Sequence, residues 1–395
     1  MRELNRLGIT SVVDAGGGNQ SYPQDYEIVN ELHQRNQLTV RIAYNLFAQR
    51  PKQERQEIIE WLRMTKPGQG DEFYRTNGAG ETLVYSAGDF EDFLEPRPDL
   101  ATSLETQLKD VVTLLVQNRW SFSLHATYDE SITRFLNIFE EVNREAPFDG
   151  LRWFFDHAET ISTRNIERVR ALNGGIAIQN RMAFQGEYFI NRYGRRKAEQ
   201  SPPIARMLSM GIPVGAGTDA TRVTSYNPWV SLYWMIAGKT VGGTTLYPET
   251  NRLDRMEALR LYTVGSSWFS DEQNNKGAIV PGQLADLTVI SDDYFSIPEE
   301  RIKSLESVLT IVGGKPVYGA GEFTDLAPPP LPVSPEWSPV AKYGGYARPT
   351  IVSHIHSHVG CCTSVSSQKT QSPLSLSTPG VLSGMWGIGC DCFAF

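Results

Sequence analysis

Residues 151–158 read LRWFFDHA, an apolar and aromatic run that ends at Asp156 and His157 and is followed by polar residues. Short apolar runs of this kind, bounded by polar residues, are typical of buried β-strands. The next segment, TRNIERVRAL (163–172), has apolar residues at the three- and four-residue spacing of an amphipathic helix. Together the two segments predict one strand–helix unit whose strand ends at a histidine.

The same unit recurs along the chain. Six further runs predict strands: GITSVVDAG (8–16), LTVRIAYNLF (38–47), ETLVYSAG (81–88), SFSLHA (121–126), GIAIQN (175–180) and IPVGAGTDA (212–220). Helix-like segments lie between them, and this alternation is typical of a parallel sheet built from βα units. Seven strands are one fewer than an eight-stranded (β/α)8 barrel needs. Residues 276–320 predict a few antiparallel strands joined by Gly-rich turns.

Composition restricts the class of protein. The 395 residues carry a net charge of −8 and are 40% hydrophobic, as expected of a globular chain. An acidic chain offers no basic stripe to a phosphate backbone, so we expect no nucleic-acid partner. The N-terminus has no secretory apolar core and no stretch reaches the roughly 18 apolar residues of a membrane helix, so we expect no membrane partner and a cytoplasmic location. All four cysteines lie in the last 35 residues, which excludes a disulfide framework for the main body.

Three potential metal ligands end separate predicted strands. His125 ends SFSLHA, His157 ends LRWFFDHA and Asp219 ends IPVGAGTDA. Because the carboxyl ends of parallel barrel strands lie at one rim, these side chains can meet despite their distance along the chain. Two imidazoles and one carboxylate suit a divalent ion such as Zn²⁺. The alternative is that each histidine is a hydrogen-bonded structural residue of its own strand.

The order of several short motifs resembles one known family. GITSVVDAGGG, the strand-end His125, FDHAE, GAGTDA and KGAIVPGQLADLTVI together look like the amidohydrolase superfamily, in its amidohydrolase-3 (YtcJ-like) branch. The resemblance covers about residues 1–320. It implies an α/β fold: a TIM-like (β/α)8 barrel missing its first strand over residues 1–275, part of a small β-sandwich over 276–320, and an irregular tail over 321–395. That tail is rich in Pro and Ser and contains the cysteines.

The resemblance also implies a chemistry. Its members are metal-dependent hydrolases that cleave C–N bonds other than peptide bonds, in amides or cyclic amides, with water activated by a divalent metal, Zn above all. In this scheme His125 and His157 are metal ligands. Asp219 contacts the metal or its water, accepts a proton as general base and later delivers it to the leaving nitrogen.

Two features depart from the family pattern. No His-x-His pair precedes GITSVVDAGGG, so we expect that the chain lacks the N-terminal part of the fold and that truncation could leave it inactive. The bridging acid that many relatives place after strand 3 or 4 is also not evident. Glu81 begins the predicted strand ETLVYSAG and would therefore point from its wrong end, which favours a site with one metal.

Loop residues after the strands are candidates for binding a small-molecule substrate. We assign this role to Tyr85, Arg181 and Arg222, since an arginine suits a substrate carboxylate through a bidentate fork. Ordinary loop polarity is the alternative for all three. A homo-oligomer is compatible with the sequence. The alternative function is a non-catalytic remnant of the same fold that binds a small molecule without hydrolysing it.

Overall fold

The computed structural model describes residues 1–90, 92–220 and 224–329. Residues Met1–Pro328 cluster into one compact unit. Most of the predicted tail, 321–395, lies outside the described residues, as does Arg222. The domain boundary predicted between residues 275 and 276, from the barrel to the sandwich part, stays a prediction. Within the described ranges, no helix has both the length and the apolar character that crossing a bilayer requires.

Seven parallel strands form the main sheet, and they follow one another in chain order. They are β1 (Ser11–Asp14), β2 (Arg41–Leu46), β3 (Tyr74–Ala79), β4 (Phe122–Ala126), β5 (Trp153–His157), β6 (Gly175–Gln179) and β7 (Val214–Gly217). Three antiparallel strands form a second sheet in the order β10-β9-β8. They are β8 (Leu287–Ile290), β9 (Ser307–Val312) and β10 (Lys315–Gly319). Both sheets agree with the parallel and antiparallel arrangements predicted from the sequence.

The described residues form thirteen α-helices: one before β1, eight between consecutive parallel strands, as a βα repeat requires, and four after β7. They are α1 (Arg2–Arg6), α2 (Glu27–Gln34), α3 (Glu54–Met64), α4 (Leu104–Gln117), α5 (Asp129–Glu145), α6 (Thr163–Ala171), α7 (Arg181–Tyr193), α8 (Arg195–Ala198), α9 (Ile204–Ser209), α10 (Pro228–Ala237), α11 (Arg255–Arg260), α12 (Ser266–Trp268) and α13 (Glu299–Ile302). Local sequence sets several of their starts. The Ser162 side chain caps α6 by accepting a hydrogen bond from the Asn165 N–H, and Asn227 caps α10 ahead of a proline at its first position.

The core lies between the sheet and the helices that follow its strands. All five residues of β5 are buried, and the Trp153 ring lies 5.1 Å from Phe139 of α5 and 5.4 Å from Phe155. The Trp153 indole N–H also donates to the Leu172 carbonyl at 2.9 Å, so the polar atom of this buried ring is satisfied. This aromatic packing fixes β5 and the histidine at its end.

One predicted strand is wrong. Residues 81–88 form a loop with a 3-10 turn at Tyr85–Ala87, and the third strand is instead β3, seven residues earlier at its start. The sequence of β3, YRTNGA, contains an Asn-Gly pair that is typical of turns. Glycine is needed there because a Cβ at position 78 would lie 2.2 Å from the Ser121 carbonyl oxygen of the neighbouring chain segment. Close approach of two backbones therefore selects a residue that weakens the local strand signal.

A buried ion pair joins the two sheets. Arg41, the first residue of β2, donates to both carboxylate oxygens of Asp286 at 2.7 and 3.0 Å, and both side chains are buried. Asp286 also accepts the Gly313 N–H at 2.8 Å. A second carboxylate, Glu72, lies 3.7 Å from Arg41 but is 69% exposed.

These two partners of Arg41 provide a matched test of what holds the sheets together. We expect Asp286→Ala to lower the free energy of unfolding by about 3–5 kcal/mol, because it leaves a buried guanidinium without its carboxylate. Glu72→Ala is expected to change it by less than about 1 kcal/mol, since water screens the exposed pair. Urea denaturation of the full chain measures both. Equal effects of the two variants would contradict a structural role for the buried pair.

Candidate metal centre

Three buried side chains meet at the carboxyl ends of neighbouring strands. Glu81 follows β3, His125 lies near the end of β4 and His157 is the last residue of β5. Glu81 Oε2 lies 3.2 Å from His125 Nδ1 and 3.1 Å from His157 Nε2. The two imidazole rings are 4.1 Å apart between centroids. Each side chain is no more than 3% exposed. The potential ligand atoms all lie within 4.8 Å of one another, which is the compactness a single ion requires.

The position of Glu81 overturns one expectation. Since β3 ends at Ala79, Glu81 leaves the carboxyl end of a strand and points to the same rim as the histidines. The prediction that it would point from the wrong end was a consequence of the misplaced third strand. Had YRTNGA (74–79) been recognised as a strand, the position of Glu81 two residues after its last residue would have placed this carboxylate at the carboxyl end.

The backbone at the end of β5 departs from regular strand geometry. His157 has φ +80° and Ala158 has φ +57°, in a region that residues other than glycine rarely adopt. Consecutive side chains of a regular strand point to opposite faces. His157 hydrogen-bonds Glu81 from this irregular position, and the charge of Glu81 also acts on the buried Asp156 carboxyl. Backbone conformations of this kind are concentrated at functional sites, where surrounding structure holds them.

The three groups change each other's protonation. Burial alone would raise the pKa of Glu81, but the adjacent His125 and His157 hold it well below its usual range. Burial and His125 act to lower the pKa of His157, but its hydrogen bond to Glu81, together with the negative charges of Glu81 and Glu159, outweighs them and raises that pKa to about 9. In the absence of a cation, an imidazolium therefore neutralises the buried carboxylate at neutral pH.

Two further buried carboxylates, Glu159 and Asp156, lie near the histidines. Burial raises the pKa of Glu159, and burial together with Glu81 raises that of Asp156 to about 7. Three buried carboxylate oxygens have no hydrogen-bond partner among the described residues. They are both oxygens of Glu159 and Oε1 of Glu81. Glu159 Oε1 lies 4.0 Å from His157 Nδ1. The surroundings of the two histidines thus contain buried carboxylate oxygens that the described hydrogen bonds do not satisfy.

The predicted residues Asp219 and Arg181 pair with each other at the edge of this cluster. Arg181 Nη2 donates to Asp219 Oδ2 at 2.6 Å, and Arg181 Nε lies 3.6 Å from Glu159 Oε1. The Arg181 side chain is 1% exposed. Asp219 has a positive φ of +50°, and His157 at the end of β5 likewise has a positive φ. The order Asp219–Arg181–Glu159–His157 connects β7 to the three-residue cluster. Contact of Asp219 with a metal, and of Arg181 with substrate, stay predictions.

Tyr85 lies in the turn after Glu81. Its backbone N–H donates to Glu54 Oε1 at 3.0 Å, and its hydroxyl donates to the Gln49 carbonyl at 3.3 Å. These contacts join the loop after β3 to the loop after β2 and to the first residue of α3. Its predicted role in substrate binding stays a prediction, and Arg222 lies outside the described residues.

The cluster fits a divalent cation. One carboxylate and two imidazoles are a ligand set found for zinc. In tetrahedral zinc with bonds of about 2.1 Å, two ligand atoms lie roughly 3.4 Å apart, close to the observed separations of 3.2 and 3.1 Å. Oε1 of Glu81 is buried and has no hydrogen-bond partner among the described residues, so this carboxylate keeps an oxygen for a cation to bind. Sequence reasoning identified both histidines but placed Glu81 at the wrong end of its strand, and Glu159 was not among its candidates.

Comparison with known proteins gives a family match. Residues 1–318 match the model described as the amidohydrolase family. The chain is 27% identical over 200 residues to YtcJ of Bacillus subtilis (strain 168), which is named an amidohydrolase; the match covers 50% of this chain and 37% of YtcJ. It is 24% identical over 196 residues to the N-substituted formamide deformylase of Arthrobacter pascens, covering 49% and 36%. The chain therefore matches little more than a third of either relative.

Solved structures share the fold at low identity. A metal-dependent hydrolase from Pyrococcus horikoshii OT3, uncharacterized, superposes with a TM-score of 0.56 at 16% identity, over 75% of this chain and 59% of that one. The atrazine chlorohydrolase TrzN from Arthrobacter aurescens TC1, complexed with zinc, gives a TM-score of 0.55 at 13% identity, over 84% and 72%. At these identities the likeness concerns the α/β barrel fold alone.

Proposed function

Because the chain belongs to the amidohydrolase family, we propose that it is a metal-dependent hydrolase of C–N bonds other than peptide bonds, in amides or cyclic amides. The observation that carries the proposal is the buried Glu81–His125–His157 cluster with its surplus of carboxylate. The name of the formamide deformylase relative supports an amide substrate. We assign β1–β7 to the second to eighth strands of such a barrel.

The metal we propose is zinc, held by Glu81, His125 and His157. These are the donor types zinc prefers, and one solved structure of the same fold is complexed with zinc. A divalent cation there supplies a Lewis acid that polarises the scissile carbonyl and lowers the pKa of water. The low exposure of all three side chains limits competing access of bulk solvent to this position.

The chain's own residues then handle the proton and the substrate. We assign Asp219 as the group that accepts a proton from the attacking water and returns it to the leaving nitrogen. Arg181 holds the Asp219 carboxylate by a charge-assisted hydrogen bond of 2.6 Å and so fixes its orientation. Tyr85, Arg181 and Arg222 remain our candidates for contacts with the substrate.

Zinc titration of the purified chain tests this proposal. We expect about one equivalent to bind at pH 7, with release of about one proton, because His157 with a pKa of about 9 must become neutral to act as a ligand. Affinity should rise by up to about tenfold per pH unit between pH 7 and 9, and level off above His157's pKa. Calorimetry in two buffers of different ionisation enthalpy counts the protons.

Histidine variants distinguish the proposed hydrolase from the alternative function, a non-catalytic remnant of the same fold. His125→Ala and His157→Ala are expected to abolish stoichiometric binding, whereas His33→Ala, at a half-exposed imidazole paired with Asp71, retains it. A chain that binds zinc and releases amine from N-substituted formamides supports the hydrolase. Absence of stoichiometric zinc, iron or manganese in the folded wild type would favour the non-catalytic remnant.

A further inference from the structure

A second polar cavity lies at the opposite end of the strands that carry the metal ligands. It has a volume of about 340 Å³ and is lined by Arg75, Arg119, Ser121 and Arg152, among others. Arg75 is the second residue of β3, Ser121 precedes β4 and Arg152 precedes β5. Strands rise roughly 3.3 Å per residue, so about 15 Å of sheet separates this cavity from the histidines. The cavity is therefore distinct from the proposed metal centre.

Positive charge exceeds negative charge around this cavity. Arg75 and Lys276 share one carboxylate, Glu272, at 3.2 and 2.5 Å. Arg152 pairs with Asp271, whose side chain is 74% exposed. Among the described residues no carboxylate lies within ion-pair distance of Arg119. The cavity lining itself has three arginines and one carboxylate, Asp271, in a chain whose net charge is −8.

Contacts with neighbouring groups hold Arg119 and Arg152 in place. Arg119 donates to the carbonyl oxygens of Pro147 at 3.4 Å and Asp149 at 2.6 Å. The Arg152 guanidinium stacks 4.0 Å above the Trp268 ring. These contacts fix the positions of two of the guanidinium groups before any ligand binds, which lowers the entropic cost of binding.

We propose that this cavity binds a small organic phosphate through Arg75, Arg119 and Arg152. Guanidinium groups from three chain segments can donate to several oxygens of one tetrahedral anion, which a planar carboxylate cannot match. The volume exceeds that of the phosphate group itself and lies in the range of small-molecule sites, so the cavity has room for the rest of the ligand. The Ser121 hydroxyl adds one further polar group to the lining.

Calorimetric titration of the full chain with phenyl phosphate and inorganic phosphate, at constant ionic strength, tests this site. We expect saturable binding of both, with phenyl phosphate at least as tight. Arg119→Asn should weaken binding at least about tenfold, the loss expected of a charge-assisted hydrogen bond. Asparagine suits this position because Arg119 has φ +56° and asparagine tolerates that region. Ser121→Asp, which places a negative charge in the cavity, should abolish binding.

The control is Arg35→Asn, which removes the same charge from an exposed arginine paired with Glu31. It should alter binding less than about twofold. Equal weakening by Arg35→Asn and Arg119→Asn would overturn the proposal, since it would indicate only a general field effect. Binding of citrate as tight as phenyl phosphate, binding of inorganic phosphate alone, or no saturable binding to the folded wild type would also overturn it.

Discussion

Replacement of Glu81 by alanine is expected to lower zinc affinity by more than about a hundredfold. Glu81 Oε2 lies within 3.2 Å of both histidines, so its removal deletes one ligand and the negative charge that offsets the cation. Loss of an outer contact to a metal ligand costs about 10- to 100-fold, and loss of a direct ligand exceeds that range. Equilibrium dialysis against a competing chelator measures the affinity.

Glu81→Gln is the matched variant for this prediction. It keeps the size of the buried side chain and its ability to hydrogen-bond, but not its charge, and should weaken zinc binding by a similar order. The melting temperature of each metal-free variant shows whether the fold is retained. If Glu81→Ala binds zinc as wild type while His125→Ala does not, Glu81 serves as a hydrogen-bond partner of the histidines and not as a ligand.

Asp219→Asn is expected to lower kcat by about 10²- to 10⁴-fold, the range for loss of a general acid–base. Asparagine has the same shape, tolerates the φ of +50° at this position, and can still accept the hydrogen bond from Arg181. The backbone and the pairing should therefore survive while proton transfer is lost. Steady-state hydrolysis of N-substituted formamides by the zinc-loaded chain measures the effect.

Zinc stoichiometry distinguishes the possible roles of Asp219. Retained zinc with lost activity supports proton transfer, whereas loss of zinc together with activity assigns Asp219 as a ligand. Asp71→Asn, at an exposed carboxylate that pairs with His33, is the control and should leave kcat unchanged. Wild-type activity in Asp219→Asn would contradict the assignment of this residue altogether.

The repeated βα pattern could be predicted from the sequence because each strand and each helix is indicated by the residues within it. Apolar runs and amphipathic spacing reflect the burial of each element against the same core, and six of the seven parallel strands follow them. β3 was missed because the glycines within it and directly after it are required by close contact with the neighbouring segment, not by strand propensity. A Cβ at Gly80 would lie 2.3 Å from Ser123 Oγ, as one at Gly78 would meet Ser121. Local propensity therefore favoured the wrong segment, ETLVYSAG.

The same distinction applies to the candidate site. The sequence by itself determined that His125 and His157 end adjacent strands, because strand ends of a parallel sheet meet at one rim whatever the loop lengths. Only the tertiary structure decided that Glu81 joins them, that the backbone at His157 is left-handed, and that Arg181 lies between Glu159 and Asp219. These features depend on close contacts between backbone segments and on ion pairs between residues far apart in the chain. No repeating spacing in the sequence indicates either of them.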